Sequence, residues 1–198
     1  MISITLPDGS IRAFAPGTTP MEVAKNISEG FARNVISASF EGTTIETSTP
    51  LTTDGSLILY TWNDAEGKKA FWHSTSHVMA QVLEEMFPGI QLTLGPAIAN
   101  GFYYDVDFGD QKITEADFKA IESRILEISK EKHEFKMRAV TKAEALETYK
   151  DNVYKTELIS NLEDGTITFC DHATFTDLCR GGHIPNTGII KAVKIMSV

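Results

Sequence analysis

Residues 2–14 read Ile2-Ser3-Ile4-Thr5-Leu6-Pro7-Asp8-Gly9-Ser10-Ile11-Arg12-Ala13-Phe14. Ile2, Ile4 and Leu6 alternate with Ser3 and Thr5, which makes one face of an extended chain apolar. Pro7-Asp8-Gly9-Ser10 supplies turn residues, and Ile11, Ala13 and Phe14 begin a second strand, so the stretch is a hairpin. Working outward, Pro16-Gly17-Thr18-Thr19-Pro20 opens a helix over about 20–29, with Thr19 as cap, Pro20 at the first helical position, and Met21, Ala24 and Ile27 at helical spacing. Gly30 is expected to end it. Strands follow at Val35–Phe40, Thr43–Thr47 and Leu57–Thr61, separated by Glu41-Gly42 and Thr53-Asp54-Gly55 turns. Two strands, a helix and several short strands imply a β-grasp fold, the helix lying across one face of a sheet.

Beyond this segment, Asn63 or Asp64 is positioned to cap a long helix reaching about Phe87, where Pro88-Gly89 stops it. One side of that helix carries Ala70, His73, Ser74, His77, Val78, Gln81, Val82 and Glu85. A strand at Leu92–Leu94 and a Gly95-Pro96 turn precede a strand from Phe102 to Phe108 that places Tyr104 on the apolar side. Thr114 and Asp117 form a capping box, and Phe118, Ile121, Ile125 and Ile128 give the next helix a buried stripe. A strand at Phe135–Val140, a Thr141-capped helix to about Lys150 and a short helix near 155–162 follow. Asp164-Gly165 reads as a hairpin turn into a strand at Thr166–Asp171, and Ile189–Met196 reads as a closing strand. An end inside an apolar strand suggests a piece of a longer protein.

The composition, 42% hydrophobic and 23% charged, is that of a soluble globular chain, and no apolar run is long enough to span a bilayer. The N-terminus lacks a signal-peptide pattern, so a cytoplasmic protein without membrane contact is expected. Two cysteines, Cys170 and Cys179, fit a reducing compartment, with a bridge between them as the alternative. A net charge of −9 excludes a protein that grips long nucleic acid through a basic stripe. Residues 1–62 hold three basic and six acidic side chains, so neither part hides a basic domain.

Chemistry concentrates in two remote pairs. His73 and His77 stand four apart on the long helix, which stacks both imidazoles on one face. Cys179 and His183 flank Gly181-Gly182, where the backbone turns sharply, so this second pair is expected on a loop. Three imidazoles and a thiol are either a tetrahedral zinc set or a pocket for a substrate and an attacking water. Of the remaining histidines, His133 sits among charged residues and is expected to be solvated, while the role of His172 is open.

Ile4-Thr5-Leu6-Pro7-Asp8-Gly9-Ser10 with Pro20-Met21-Glu22-Val23-Ala24 resembles the TGS domain, a ubiquitin-like module found at the start of threonyl-tRNA synthetases and in certain GTP-binding and stringent-response proteins. The His73/His77 and Cys179/His183 pairs, Gly95-Pro96, Gly101-Phe102-Tyr103-Tyr104-Asp105 and Cys179-Arg180-Gly181-Gly182-His183-Ile184-Pro185-Asn186 resemble the editing domain of bacterial threonyl-tRNA synthetases. The resemblance implies an α+β chain: a TGS domain over 1–62, then an editing domain over 63–198 with the His-bearing helix packed on a mainly antiparallel sheet. It implies hydrolysis of the aminoacyl ester of seryl-tRNA for threonine, on a tRNA acceptor 3′ end carrying serine. His73 is expected as base or water-fixing group, and Lys155, matching a family lysine, as a positive charge or second base. His77, Tyr104, Asp177, Cys179 and His183 are expected to bind the seryl group and terminal ribose, Asp177 pairing with the ammonium. No metal is required on this reading, although zinc at His73, His77, Cys179 and His183 stays open because alanyl-type relatives use similar ligands. ATP-dependent ligation would belong to the intact parent, with its catalytic and anticodon-binding regions.

The competing readings are a zinc-stabilised RNA- or protein-binding adaptor without catalysis, an alanyl-type deacylase, and a TGS-led regulatory module. Cys179 as a covalent nucleophile is a weaker alternative, since water can hydrolyse an ester without a thiolate and no cysteine-protease signature surrounds it.

Overall fold

A computed structural model describes all residues, 1–198. The chain divides into two compact units, one of residues 1–71 with 181–185 and the other of residues 72–180 with 186–198. The first is a five-stranded sheet crossed by helices. Strand β1 (Ile2–Thr5) pairs antiparallel with β2 (Ile11–Phe14) in the register Ile2 to Phe14. Asp8 closes their turn by accepting from both the backbone N–H and the hydroxyl of Ser10, at 2.9 and 2.6 Å. Strands β3 (Val35–Phe40), β4 (Thr43–Ile45) and β5 (Gly55–Thr61) complete the order β2-β1-β5-β3-β4, with β1 and β5 parallel. Ile2, Ile4, Val23, Ala38, Leu51 and Leu57 form the core beneath the helix, which is the β-grasp arrangement.

Helix α1 (Pro20–Ile27) has the expected cap: the Thr19 N–H donates to Glu22 Oε2 at 2.8 Å and the Glu22 N–H to Thr19 Oγ1 at 3.3 Å. Its end differs from expectation. Ser28, extended at φ −168°, stops α1 and caps α2 (Glu29–Ala32), so Gly30 lies inside a helical turn instead of terminating one. The hydroxyl of Ser28 offers the α2 amides an acceptor, which a glycine cannot do.

Helix α3 (Ala65–Met86) contributes residues to both units. The Asp64 carbonyl accepts from the Lys68 N–H, the first helical bond, while its carboxylate turns back to the N–H and hydroxyl of Thr61.

In the second unit, short pairs β6 (Gln91–Leu92) with β9 (Val106–Asp107) and β7 (Ala97–Ile98) with β8 (Gly101–Phe102) precede α4 (Glu115–Glu131). Strand β10 (Lys136–Ala139), helices α5 (Lys142–Thr148) and α6 (Val153–Ser160), then β11 (Thr168–His172) and β12 (Phe175–Leu178) follow, with β10-β11-β12 an antiparallel sheet. Ala80 of α3 packs against Leu92 and Phe175, which seats the helix on this β-structure. The α4 stripe of Phe118, Ile121, Ile125 and Ile128 is buried as its spacing requires.

Three expectations are corrected here. The strand over 102–108 is two dipeptides with different partners, because residue 105 bonds to Thr93 and Leu94 while Phe102 pairs with Ala97; Tyr104 lies between them, outside either strand. Asp164-Gly165 does not turn a hairpin. Asp164 Oδ1 accepts from the Lys142 and Gly165 amides, and the hairpin turns instead between β11 and β12, where Ala173 has φ 47°. Residues 189–196 form no strand: a 3-10 turn at Thr187–Ile189 leads into a segment without a strand partner, tied down by the Ile195 N–H donating to Glu122 Oε1 at 2.9 Å.

Candidate active site

The imidazoles of His73 and His77 lie one turn apart on α3 with Nε2 atoms 3.1 Å from each other. The second pair is loop-borne as expected: Cys179 and His183 lie outside the strands, Cys179 directly after the end of β12 at Leu178. Asp177 belongs to β12, and Cys179 extends its ladder through its N–H to the Thr168 carbonyl at 3.1 Å. Residues two apart on a strand face the same way. Cys179 Sγ accordingly reaches His73 Nε2 at 3.4 Å, while Asp177 Oδ2 lies 3.1 Å from His77 Nδ1.

Asp177 is the electrostatic centre. It is 3% exposed, its Oδ2 also accepts from the Tyr104 hydroxyl at 2.6 Å, and its Oδ1 receives the Lys155 ammonium. Burial pushes its pKa up, but the Lys155 charge and the His77 hydrogen bond outweigh that and hold it well below the usual carboxylate range. Burial likewise opposes a charged His77, yet its hydrogen bonds to Asp177 and Cys179 raise its pKa above the ordinary histidine value. Burial and the Asp177 charge push the Tyr104 hydroxyl far up, so it stays protonated and donates. An ionised carboxylate only accepts, so the nitrogen of His77 facing Asp177 carries a proton.

These groups share a cavity of about 620 Å³, whose wall includes His73, His77, Tyr104, Asp177 and Cys179 together with Leu158, Leu162 and Ile167. That is the size and mixture of an apolar pocket with a few convergent polar groups. Lys155 does not line it. Lys155 stands behind Asp177, 2% exposed, on the wall of a smaller cavity of about 290 Å³ that also touches Asp177. His183 belongs to the first unit, where its Nδ1 lies 3.0 Å from Glu46 Oε1. His133 is half-exposed beside Glu131, at 2.6 Å, and His172 is buried against Phe135 and Phe175. Both cysteines are free and buried.

Two contributors carried no chemical signal in the sequence. Ser76 Oγ lies 2.7 Å from the His73 carbonyl and 2.8 Å from that of Gly95, tethering the Thr93–Pro96 wall to α3. Gly95 admits the Tyr104 ring where any side chain would collide. A serine on the histidine face and a glycine before proline hint at these positions only once the pairing is known.

As a metal site, His73, His77 and Cys179 offer donor atoms within 4.8 Å of one another. Zinc bonds of about 2.0–2.3 Å set tetrahedral edges of roughly 3.3–3.7 Å, near the observed 3.1 and 3.4 Å. The Asp177 carboxylate behind His77 is the usual outer support of a metal-binding imidazole. The donor set therefore fits zinc as well as it fits a hydrogen-bonded cluster.

Residues 2–61 match the TGS domain family, and residues 167–198 match the family described as the threonyl and alanyl tRNA synthetase second additional domain. The whole chain aligns at 89% identity with the threonine–tRNA ligase of Flavobacterium johnsoniae, at 83% with that of Flavobacterium psychrophilum and at 52% with that of Parabacteroides distasonis. It spans 31% of the length of each of these relatives. Both domain types and an alignment without unmatched ends place the chain in the threonyl-tRNA synthetase family, as its N-terminal region of TGS and second additional domains.

Proposed function

We propose that the cavity of the second unit hydrolyses the ester of serine wrongly attached to threonine tRNA. The single observation that carries the reading is the convergence of His73, His77, Tyr104, Asp177 and Cys179 on one largely apolar cavity. Serine lacks one methyl of threonine, worth only about 1–3 kcal/mol of discrimination in a synthetic pocket. A second pocket that admits the smaller side chain and rejects the larger by overlap supplies the missing selectivity.

In this reading His73 orients the attacking water and accepts its proton, a task suited to a neutral imidazole at cellular pH. His77, its tautomer set by Asp177, and the Tyr104 hydroxyl hold the seryl group. Cys179 contacts the seryl group or terminal ribose, and His183 completes the binding set. Asp177 has oxygens engaged by Lys155, His77 and Tyr104, so pairing with the seryl ammonium adds to that network. Lys155 acts through Asp177, keeping it ionised. The TGS domain spans 1–62 and the editing domain 63–198. The intact ligase would charge tRNA with ATP in its remaining regions, in the cytoplasm; no helix here is long and apolar enough to cross a membrane.

A second reading, zinc held by His73, His77 and Cys179, is favoured by the donor spacing and by Asp177 behind His77. Zinc would supply a polarised water in place of one activated by His73. Deacylation of seryl-, threonyl- and alanyl-tRNA, with and without chelator, tests both. Release of serine ahead of threonine, indifferent to chelator, supports metal-free editing. Loss of activity on chelation supports zinc, unfolding on chelation supports a zinc-stabilised adaptor, and preference for alanine supports an alanyl-type deacylase.

A further inference from the structure

Apart from its histidines, the cavity of the second unit is lined by two ionisable side chains that are charged at neutral pH, Asp177 and Arg180. Asp177 is matched from behind by the Lys155 ammonium, so its charge is balanced inside the protein. Arg180 is not matched. The four other arginines each donate within the chain: Arg12 to Asn26, Arg33 to the Glu29 carbonyl, Arg124 to Glu85 and Arg138 to Asp171. The guanidinium of Arg180 has no hydrogen-bond or ion-pair partner within the chain. It belongs to the same compact unit as the cavity, and the backbone passes there from buried Cys179 to exposed Arg180, which marks the cavity's rim. In a chain of net charge −9, an uncompensated cation at the rim of a cavity draws an anion to that place.

We propose that Arg180 binds the phosphodiester linking the last two nucleotides of the tRNA acceptor end. The inference rests on the editing reading of the same cavity. An aminoacyl ester on the terminal ribose sets the amino acid, the ribose and then a phosphodiester in that order along the substrate. With the seryl group beside His73 and Cys179, whose side chains meet at 3.4 Å, the phosphodiester falls at the rim, where Arg180 stands. A guanidinium is weakly hydrated, and its planar fork donates two parallel N–H bonds to phosphate oxygens. One such contact is also the scale of grip open to an acidic chain without a basic stripe.

The test uses the full chain as wild type, Arg180→Gln and Arg180→Lys, with folding checked by circular dichroism, on the seryl esters of threonine tRNA, of a CCA trinucleotide and of adenosine. The first two carry the phosphodiester, and the third ends before it. Arg180→Gln should raise KM for the first two about 10–100-fold, the effect of losing a hydrogen bond to a charged group, with kcat little changed. The rise should be far smaller for seryl-adenosine. For the seryl trinucleotide, the plot of log kcat/KM against log salt should lose about 0.7 of slope, the counterion release of one single-strand phosphate. Arg180→Lys should recover that slope and only part of the affinity, since an ammonium keeps the charge without the fork. An equal penalty on seryl-adenosine, an unchanged salt slope, or no penalty on any ester overturns the proposal. If the wild type releases no serine from any ester, the editing reading fails on its own, and fluorescence anisotropy with a labelled, uncharged CCA trinucleotide decides the contact. Tighter and more salt-dependent binding by the wild type than by Arg180→Gln sustains it; equal binding overturns it.

Discussion

The hairpin end of the first unit and the cavity wall of the second satisfy their polar groups over very different sequence distances. Asp8 serves Ser10 and Thr19 serves Glu22, two and three residues apart. Asp177 serves Tyr104 and Lys155, 73 and 22 residues away, and His77 a hundred residues back. The local arrangement stabilises one turn at a time near solvent. The remote one concentrates charge in a buried place, where each group depends on all the others.

That contrast predicts a descending series of effects. Lys155→Ala leaves the buried Asp177 charge without its main compensation and should destabilise the second unit by about 3–5 kcal/mol, read by denaturant unfolding. Leu57→Ala in the first-unit core, where Leu57 is fully buried, should cost about 2–5 kcal/mol, and if the units unfold separately only the first transition moves. Thr19→Ala removes one local cap and should cost about 1 kcal/mol. A Lys155→Ala effect no larger than that of Thr19→Ala would erase the distinction.

Acid sharpens the same comparison. The folded pKa of Asp177 is depressed, so its stabilisation is present above its unfolded value of about 3.9 and is lost as pH falls below it toward the folded pKa. His77 has the opposite sign: its raised pKa gives stability fully present below about 6.5 and lost as pH rises through the folded value. Asp177→Asn should flatten both limbs of the stability profile, and an unchanged profile would contradict the network described here.

The β-grasp fold was legible because its signals are local: alternation in 2–6, turn residues at 7–10, a capping box at 19–22. The pairing of His73 with His77 was legible for the same reason, helical spacing. Long-range pairing was not. Residues 102–108 alternate like one strand but change partner at Asp105, and the real β11–β12 turn sits on Ala173, a residue with no turn signature. Asp164-Gly165 had that signature and serves α5 instead. Lys155 and Asp177 were both singled out as site residues, yet nothing in either segment showed that they neutralise each other. Glu46 was invisible as a partner of His183 because a lone carboxylate after a short strand looks like any surface acid.

The central claim is that His73 and its neighbours form a proofreading centre. The most direct measurement compares release of serine and threonine from threonine tRNA by the wild-type chain and by His73→Ala, with chelator present and folding checked by circular dichroism. The account predicts faster loss of serine than of threonine, and a drop of about 10²-fold or more in His73→Ala with the spectrum unchanged. A folded wild type that releases no serine, or a His73→Ala chain that releases it undiminished, would contradict it.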